Sequence, residues 1–188
     1  MFSLKTLTAT LLASAAVVSA APVTACEDNG PTKTIELTGV THSVVAGLGA
    51  SLTFNPDNVV ADVGDIVEWH FLPRNHSIVQ SSFGNPCEPL ADGSGFFPGF
   101  EFATAEGQAE NVFQIVVKDK NPIWYYCPQN VGNHCSSGMV GVINQNFNNQ
   151  DFSLRRHKEI AATKSQSIIP PVNHVGEVLP NPNPLGGF

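Results

Sequence analysis

Residues 122–144 read Pro122-Ile-Trp-Tyr-Tyr-Cys127-Pro-Gln-Asn-Val-Gly-Asn-His134-Cys135-Ser-Ser-Gly-Met139-Val-Gly-Val-Ile-Asn144. Two runs rich in aromatic and β-branched residues, at 123–126 and 139–143, flank a loop that contains proline and glycine. Runs of this kind, bounded by turn residues, predict two strands of a sheet. The connecting loop carries a thiol, an imidazole and a thioether, so the stretch predicts a strand pair with metal-binding side chains between its strands.

Strand signals continue upstream of this pair. The further predicted strands are 34–40, 51–54, 59–63, 66–71, 76–80 and 112–117. Seven or eight short strands separated by turn residues predict an all-β sandwich or barrel. Residues 84–108 form a long connection rich in Gly, Phe and Pro, which is typical of a functional loop, a disordered loop or a loop held by a crosslink.

The two ends of the chain differ in composition from the middle. Residues 1–20 have a positive start, an apolar run and a small-residue cleavage site, and so predict a secretory signal peptide, followed by a linker at 21–32. The globular domain is expected at 33–146 and a short helical extension at 147–163, with a helix over 152–163 capped by Asp151. Residues 164–188 predict a Pro-rich flexible tail. The last residues are not a hydrophobic tail, so we expect a secreted, extracellular protein without a membrane anchor.

The charge composition argues against nucleic acid as a partner. The chain has a formal net charge of −7 and nine Lys and Arg residues in 188, whereas nucleic-acid-binding domains carry basic patches. Charged residues make up 13% of the chain, fewer than the usual quarter. This composition favours a turn-rich extracellular domain.

A second imidazole lies upstream in Asn75-His76-Ser77. Two histidines, one cysteine and a weak axial methionine form the ligand set of blue-copper electron-transfer sites. His76, Cys127, His134 and Met139 are therefore the candidate ligands of one copper ion. The alternatives are a structural disulfide for Cys127, an ordinary strand or loop imidazole for each histidine, and a core side chain for Met139. The side-chain amide of Asn75 is expected to tie its loop to the Cys127 loop.

The four cysteines leave several pairings open. A secreted protein is expected to pair its thiols, and four cysteines allow three full pairings. A copper site requires Cys127 as a thiolate, which leaves Cys26, Cys87 and Cys135. We favour a disulfide between Cys87 and Cys135, which would tie the long loop to the ligand loop. A disulfide between Cys127 and Cys26 is the alternative.

The sequence also resembles a known family over roughly residues 33–145. The similarity lies in residues 58–71 (Asn58-Val-Val-Ala-Asp-Val-Gly-Asp65-Ile-Val-Glu-Trp-His-Phe71), in Asn75-His76-Ser77, in Pro86-Cys87 and in the 122–144 stretch. These segments are similar to those of the fungal extracellular cupredoxins, which are related to plant phytocyanins. The resemblance implies a Greek-key β-sandwich, a type 1 copper site and a disulfide between Cys87 and Cys135. It also implies that His76, Cys127 and His134 are equatorial ligands and that Met139 is the axial ligand.

Two features depart from the family pattern. The six residues between Cys127 and His134 exceed the usual length of the ligand loop, and we expect Val131 and Gly132 to bulge outward. The Ser/Thr-rich stalk and lipid anchor of many relatives are not expected here.

The sequence therefore predicts a monomeric, secreted protein that binds one type 1 copper ion and transfers one electron. Its partner would be an unidentified redox protein or a small-molecule electron donor or acceptor. It is not expected to be an enzyme, because six histidines are too few for an oxygen-reducing multicopper oxidase and no nucleophile-elbow, zincin or phosphate-loop motif occurs. The alternatives are a copper-free extracellular or cell-wall interaction module, in which Cys127 pairs with Cys26, and copper sequestration without redox turnover.

Overall fold

A computed structural model describes residues 34–184 and 186 of the chain. The predicted signal peptide, the predicted linker and Cys26 lie outside these residues. The elements of the described part are β1 (Thr41–Ala46), β2 (Phe54–Asn55), β3 (Asn58–Val59), β4 (Ile66–Phe71), β5 (Val79–Ser81), β6 (Asn111–Val116), β7 (Ile123–Tyr126), β8 (Val140–Ile143), α1 (Leu154–Ala161) and β9 (Glu177–Pro180). Short 3-10 turns occur at Leu48–Ala50 and Gln150–Phe152.

The strands form two mixed sheets. The first has the order β2-β1-β4-β6-β9 and the second the order β3-β8-β7-β5. From β3 to β7 each successive strand lies in the other sheet, so the chain repeatedly crosses between the layers. Parallel pairing joins β1 to β4 and β3 to β8, and the remaining pairs are antiparallel. The structure confirms the β-sandwich expected from the sequence, with nine strands in the described residues instead of seven or eight.

Two hydrophobic clusters lie on the two faces of the four-stranded sheet. Tyr125 and Tyr126 are neighbours on β7 and point to opposite faces, as successive residues of a strand do. Tyr125 packs edge-on against Trp69 in the cluster that also contains Cys127 and Met139. Tyr126 belongs to the second cluster, which contains the Cys87 and Cys135 sulfurs and residues of α1. The end of β7 therefore joins the main core to the layer beneath the helix.

Helix α1 covers the outer face of the four-stranded sheet. Its buried residues, Leu154, His157 and Ala161, recur at helical spacing. The sequence predicted a longer helix, over 152–163, with Asp151 as its cap. In the structure the helix begins at Leu154, because Ser153 is the N-cap and its hydroxyl accepts the Arg156 N–H at 3.3 Å. Asp151 lies in the preceding 3-10 turn.

Several strand bounds differ from those predicted. Residues 34–40 form no strand, and the first strand instead begins at Thr41. His76 precedes β5, which begins at Val79. The strands at 66–71 and 123–126 agree with the prediction.

The C-terminal region packs on the sandwich over much of its length. Residues 177–180 form β9, which pairs antiparallel with β6, and the Asn173 N–H donates to the carbonyl oxygen of Phe97 at 3.1 Å. Residues 164–176 are irregular, as predicted for the tail at 164–188, whereas the strand at 177–180 was not predicted. Within the described residues, no helix has both the length and the apolar character needed to cross a bilayer.

Candidate metal centre

The cysteines of the described region divide into one disulfide and one free thiol. Cys87 and Cys135 are bonded, as the sequence led us to favour, and their Cα atoms lie 5.7 Å apart. Cys127 is free and fully buried. The disulfide ties the long 84–108 loop to the residue directly after His134.

Three potential ligand atoms converge at the end of the sandwich where β7 stops. The Cys127 Sγ lies 4.0 Å from the His76 Nδ1 and 3.4 Å from the His134 Nδ1. The three ligand atoms all lie within 4.8 Å of one another. His76 and Cys127 are 0% exposed and His134 is 3% exposed. The structure therefore brings together three residues that are distant or separated in the sequence.

Met139 lies next to this group. Its side chain is fully buried in the same hydrophobic cluster as Cys127. The Met139 carbonyl oxygen accepts the Cys127 N–H at 3.0 Å, and the Met139 N–H donates to the His134 carbonyl oxygen at 3.0 Å. The loop from Cys127 to Met139 is therefore closed on itself by backbone hydrogen bonds.

Gln129 fixes the first half of this loop. Its Nε2 donates to the carbonyl oxygen of Asn75 at 3.2 Å, and its Oε1 accepts the Val131 N–H at 2.9 Å. Its carbonyl oxygen also accepts the His134 N–H at 3.0 Å. Val131 itself is 82% exposed, so the longer loop bulges outward at Val131 while its ends stay fastened.

The connection between the His76 and Cys127 loops differs from the one expected for Asn75. We expected the Asn75 side-chain amide to make the link, whereas the structure uses its backbone carbonyl. The Asn75 Oδ1 is buried and has no hydrogen-bond partner. The sequence could not reveal this difference because a backbone acceptor is present at every position.

The long loop also supports the ligand region. The hydroxyl of Ser77, which is fully buried, donates to the carbonyl oxygen of Gly99. The Gln80 N–H donates to the carbonyl oxygen of Phe96 at 3.0 Å. Phe96, Phe97 and Phe102 of this loop are buried and so help to cover the core.

Burial controls the ionisation of all three candidate ligands. Burial lowers the pKa of His76 to about 4, and the positive charges of His134 and Arg74 act in the same direction. Burial, aided by Arg74, also lowers the pKa of His134. The imidazoles are therefore neutral at neutral pH, which is the state that binds a metal.

The thiol is held in its protonated state when no metal is bound. Burial raises the pKa of Cys127 to about 11, because a thiolate is poorly solvated in an apolar environment. Hydrogen bonds to the sulfur from the backbone N–H groups of Ser77 and Gln129 act in the opposite direction. These two donors are placed to stabilise the thiolate once a cation lies beside it.

The two N–S separations are compatible with a single metal ion between these donor atoms. Typical bonds of a first-row divalent ion are about 2.0–2.1 Å to imidazole nitrogen and about 2.3 Å to thiolate sulfur, so one ion can bridge an N–S pair up to about 4.4 Å apart. Both measured N–S separations fall below this limit. Imidazole together with thiolate sulfur is a donor set suited to copper or zinc.

No protein-family model matches this chain. Among curated proteins, the probable GPI-anchored cupredoxin-1 of Arthroderma benhamiae is 37% identical over 115 residues, which cover 59% of this chain and 56% of that protein. The chain is similar to a cupredoxin over this region. An extracellular serine-rich protein of the same organism is 33% identical over 105 residues, which cover 56% of this cupredoxin-like chain and 39% of that protein. The chain thus matches about half the length, or less, of these curated relatives.

The cupredoxin-like chain also resembles solved structures at low identity. A pseudoazurin from Hyphomicrobium denitrificans is 18% identical with a TM-score of 0.37, covering 55% of this chain and 73% of that one. A mutant fern plastocyanin is 19% identical with a TM-score of 0.36, covering 54% of this chain and 97% of that one.

The names of the two curated relatives agree with the extracellular location expected for this cupredoxin-like chain, and association with the cell wall is consistent with them. One name includes a GPI anchor, whereas the sequence predicts no membrane anchor here. The absence of an anchor stays a prediction.

Proposed function

We propose that this protein binds one copper ion in a type 1 site and transfers single electrons outside the cell. His76, Cys127 and His134 would be the equatorial ligands, and Met139 would be the weak axial ligand. Copper, when bound to such a set, supplies one-electron transfer by alternating between Cu(II) and Cu(I). The convergence of two neutral imidazoles on a buried free thiol is the observation that carries the proposal.

The surroundings of these residues support an electron-transfer role. The three side chains are almost completely shielded from solvent, which limits the access of water to the ion. Each is attached to a backbone held by the sandwich, by the disulfide or by loop hydrogen bonds. A scaffold that holds its ligands rigidly keeps the geometry similar in both oxidation states, so little reorganisation accompanies each electron transfer.

The Cys127 thiol, which is unpaired within the described residues, favours this proposal over the copper-free alternative. An interaction module on the same fold would have no need of an unpaired, buried Cys127 beside two imidazoles, and it was expected to pair Cys127 with Cys26. The proposed protein is not an enzyme and acts as a monomer. Its partner is a redox protein or a small molecule that donates or accepts one electron.

Voltammetry on the purified, copper-loaded full chain tests the redox role. We expect copper to bind with a stoichiometry of one per chain and to give a reversible one-electron wave. Tight copper binding without any reversible wave would instead indicate sequestration. Failure of copper to bind would overturn the proposal.

A further inference from the structure

Residues 165–169, called the clasp here, lie between helix α1 and strand β9 against the candidate ligand loop. Asn130 in that loop forms two hydrogen bonds with the clasp residue Ser167. Its Nδ2 donates to the Ser167 carbonyl oxygen at 3.0 Å, and its Oδ1 accepts the Ser167 N–H at 2.7 Å. The Asn130 side-chain amide thus donates to and accepts from the backbone of Ser167, as the backbone of a neighbouring strand would. Ser167 is 5% exposed, so the Ser167 side of both bonds is shielded from water.

The clasp contacts two further positions next to the candidate ligands. The hydroxyl of Tyr126, the residue before Cys127, donates to the Ile168 carbonyl oxygen at 2.6 Å. The Ile168 N–H donates to the Cys87 carbonyl oxygen at 2.8 Å. Cys87 is bonded to Cys135, the residue after His134. Two adjacent clasp residues are therefore connected to the ligand loop at its beginning, in its middle and, through the disulfide, at its end.

The clasp is itself held from both sides. Upstream, Ala161 of helix α1 is fully buried in the second hydrophobic cluster, and Lys164 pairs with Glu88 at 2.6 Å. Downstream, Asn173 bonds to the backbone of the long loop through its N–H, its Nδ2 and its Oδ1. A clasp fixed at both ends can restrain the loop that it touches, whereas a free tail could not.

The ligand loop has a particular need for such a restraint. Six residues separate Cys127 from His134, and the middle of the loop bulges into solvent, with Val131 82% exposed. Longer loops lose more conformational entropy when they are ordered. Asn130 lies next to the exposed bulge at Val131.

We propose that Asn130 is a positioning residue for the metal centre and that the clasp, which lies outside the β-sandwich, acts through it. Its two bonds to Ser167 would order the Cys127–His134 loop before metal binds and hold the spacing of the two ligands afterwards. The effect of Asn130 on a bound copper ion rests on the proposed function. Its role in ordering the metal-free loop is independent of that function.

The test compares Asn130→Ala with Ser167→Ala in the metal-free full chain. Asn130→Ala removes both bonds, whereas Ser167→Ala keeps them because Asn130 bonds only to the Ser167 backbone. Amide hydrogen exchange is followed at residues 129–134. We expect exchange in Asn130→Ala to be faster by about tenfold or more, as the loss of two partly buried hydrogen bonds implies, and exchange in Ser167→Ala to stay within twofold of the parent.

A second readout uses the copper-loaded proteins. Asn130→Ala should shift the reduction potential and the relative intensities of the thiolate-to-copper absorption bands, whereas Ser167→Ala should change neither. If Asn130→Ala does not fold, Asn130→Asp and Tyr126→Phe each remove part of the connection and should show smaller changes in the same direction.

Unchanged loop exchange in Asn130→Ala, or equal acceleration in both alanine variants, would overturn the positioning role. Faster exchange without any change in the copper spectrum or potential would overturn the effect on the metal centre. If the parent protein binds no copper, the proposed function fails, but the exchange comparison still decides whether the clasp orders the loop.

Discussion

The backbone N–H of Cys127 donates a 3.0 Å hydrogen bond to the carbonyl oxygen of Met139. This bond joins the first and last residues of the candidate ligand loop. Because both side chains belong to the same buried cluster, the bond also fixes the thioether relative to the thiol. A methionine in this position is expected to affect the reduction potential of the metal ion more than its binding affinity, since axial bonds in such sites are weak and long.

Replacement of Met139 should therefore change the reduction potential while copper stays bound. Met139→Gln should lower the potential, because an oxygen donor favours Cu(II) over Cu(I), and Met139→Leu should raise it by removing the axial donor. Voltammetry, with the copper content of each variant measured by elemental analysis, checks this prediction. Equal potentials in the parent and both variants, at full copper content, would show that Met139 is not an axial ligand.

The positive charge of Arg74 should raise the reduction potential of the site. Arg74 is exposed and adopts a φ of 98°, and its charge lowers the pKa of both His76 and His134. A nearby cation favours the reduced, less positive metal ion. Arg74→Gln should therefore lower the potential by on the order of tens of millivolts, and the change should shrink at high salt.

Two further variants serve as controls for Arg74. Arg74→Lys keeps the charge and should keep most of the potential. Arg155→Gln removes a charge from the exposed face of helix α1, where Arg155 pairs with Glu159, and should leave the potential unchanged. A similar decrease in Arg74→Gln and Arg155→Gln would mean that net charge, not the position of Arg74, sets the effect.

The buried ring of His157 should make the metal-free protein less stable in acid. Burial against Phe83 and Trp124 lowers the pKa of His157 to about 4, whereas the unfolded chain has the usual value near 6.5. Between these two values the unfolded state binds more protons, so the stabilising contribution of the neutral ring is present above pH 6.5 and is lost as the pH falls towards 4.

Urea unfolding of the parent and of His157→Gln at pH 7 and pH 4.5 measures this effect. The decrease in unfolding free energy between the two pH values should be smaller in His157→Gln, by about 2 kcal/mol. His76 and His134 contribute equally to both proteins, so the difference isolates His157. Identical decreases in the two proteins would contradict the prediction.

The strands that the sequence predicted best are those whose side chains alternate between apolar and polar or include several aromatic residues. Strands β4 and β7 carry clear alternating or aromatic patterns, and their predicted bounds agree with the structure. Strand β1 was missed because its three polar residues, Thr41 to Ser43, precede three apolar ones, Val44 to Ala46. Its sequence therefore lacks the alternation of polar and apolar residues by which a strand is recognised.

The C-terminal strand and the clasp depend on contacts that a local pattern cannot reveal. Strand β9 ends in Pro180 and, among the described strands, pairs only with β6, which is far away in the sequence. Proline is compatible with such an edge strand. The Asn130–Ser167 connection likewise spans 37 residues. Composition indicated a flexible tail because neither partner could be inferred from the nearby residues.

The candidate ligands were easier to predict from the sequence than the residues that hold their loop in place. Few metal sites combine imidazole, thiolate and thioether donors. The sequence could therefore indicate His76, Cys127, His134 and Met139 as candidate ligands, and the structure brings the first three together. The contacts of Gln129 and Asn130 remained hidden, because amide side chains are common in loops and their partners here are backbone groups.

The visible absorption spectrum during titration of Cu(II) into the metal-free protein tests the central claim most directly. Cys127→Ser is the matched control, because it removes only the sulfur that would bond to copper. We predict an intense blue thiolate-to-copper band that saturates at one equivalent in the parent and is absent in Cys127→Ser. A parent protein that stays colourless, or a Cys127→Ser variant that turns equally blue, would contradict the assignment of a type 1 copper site to these residues.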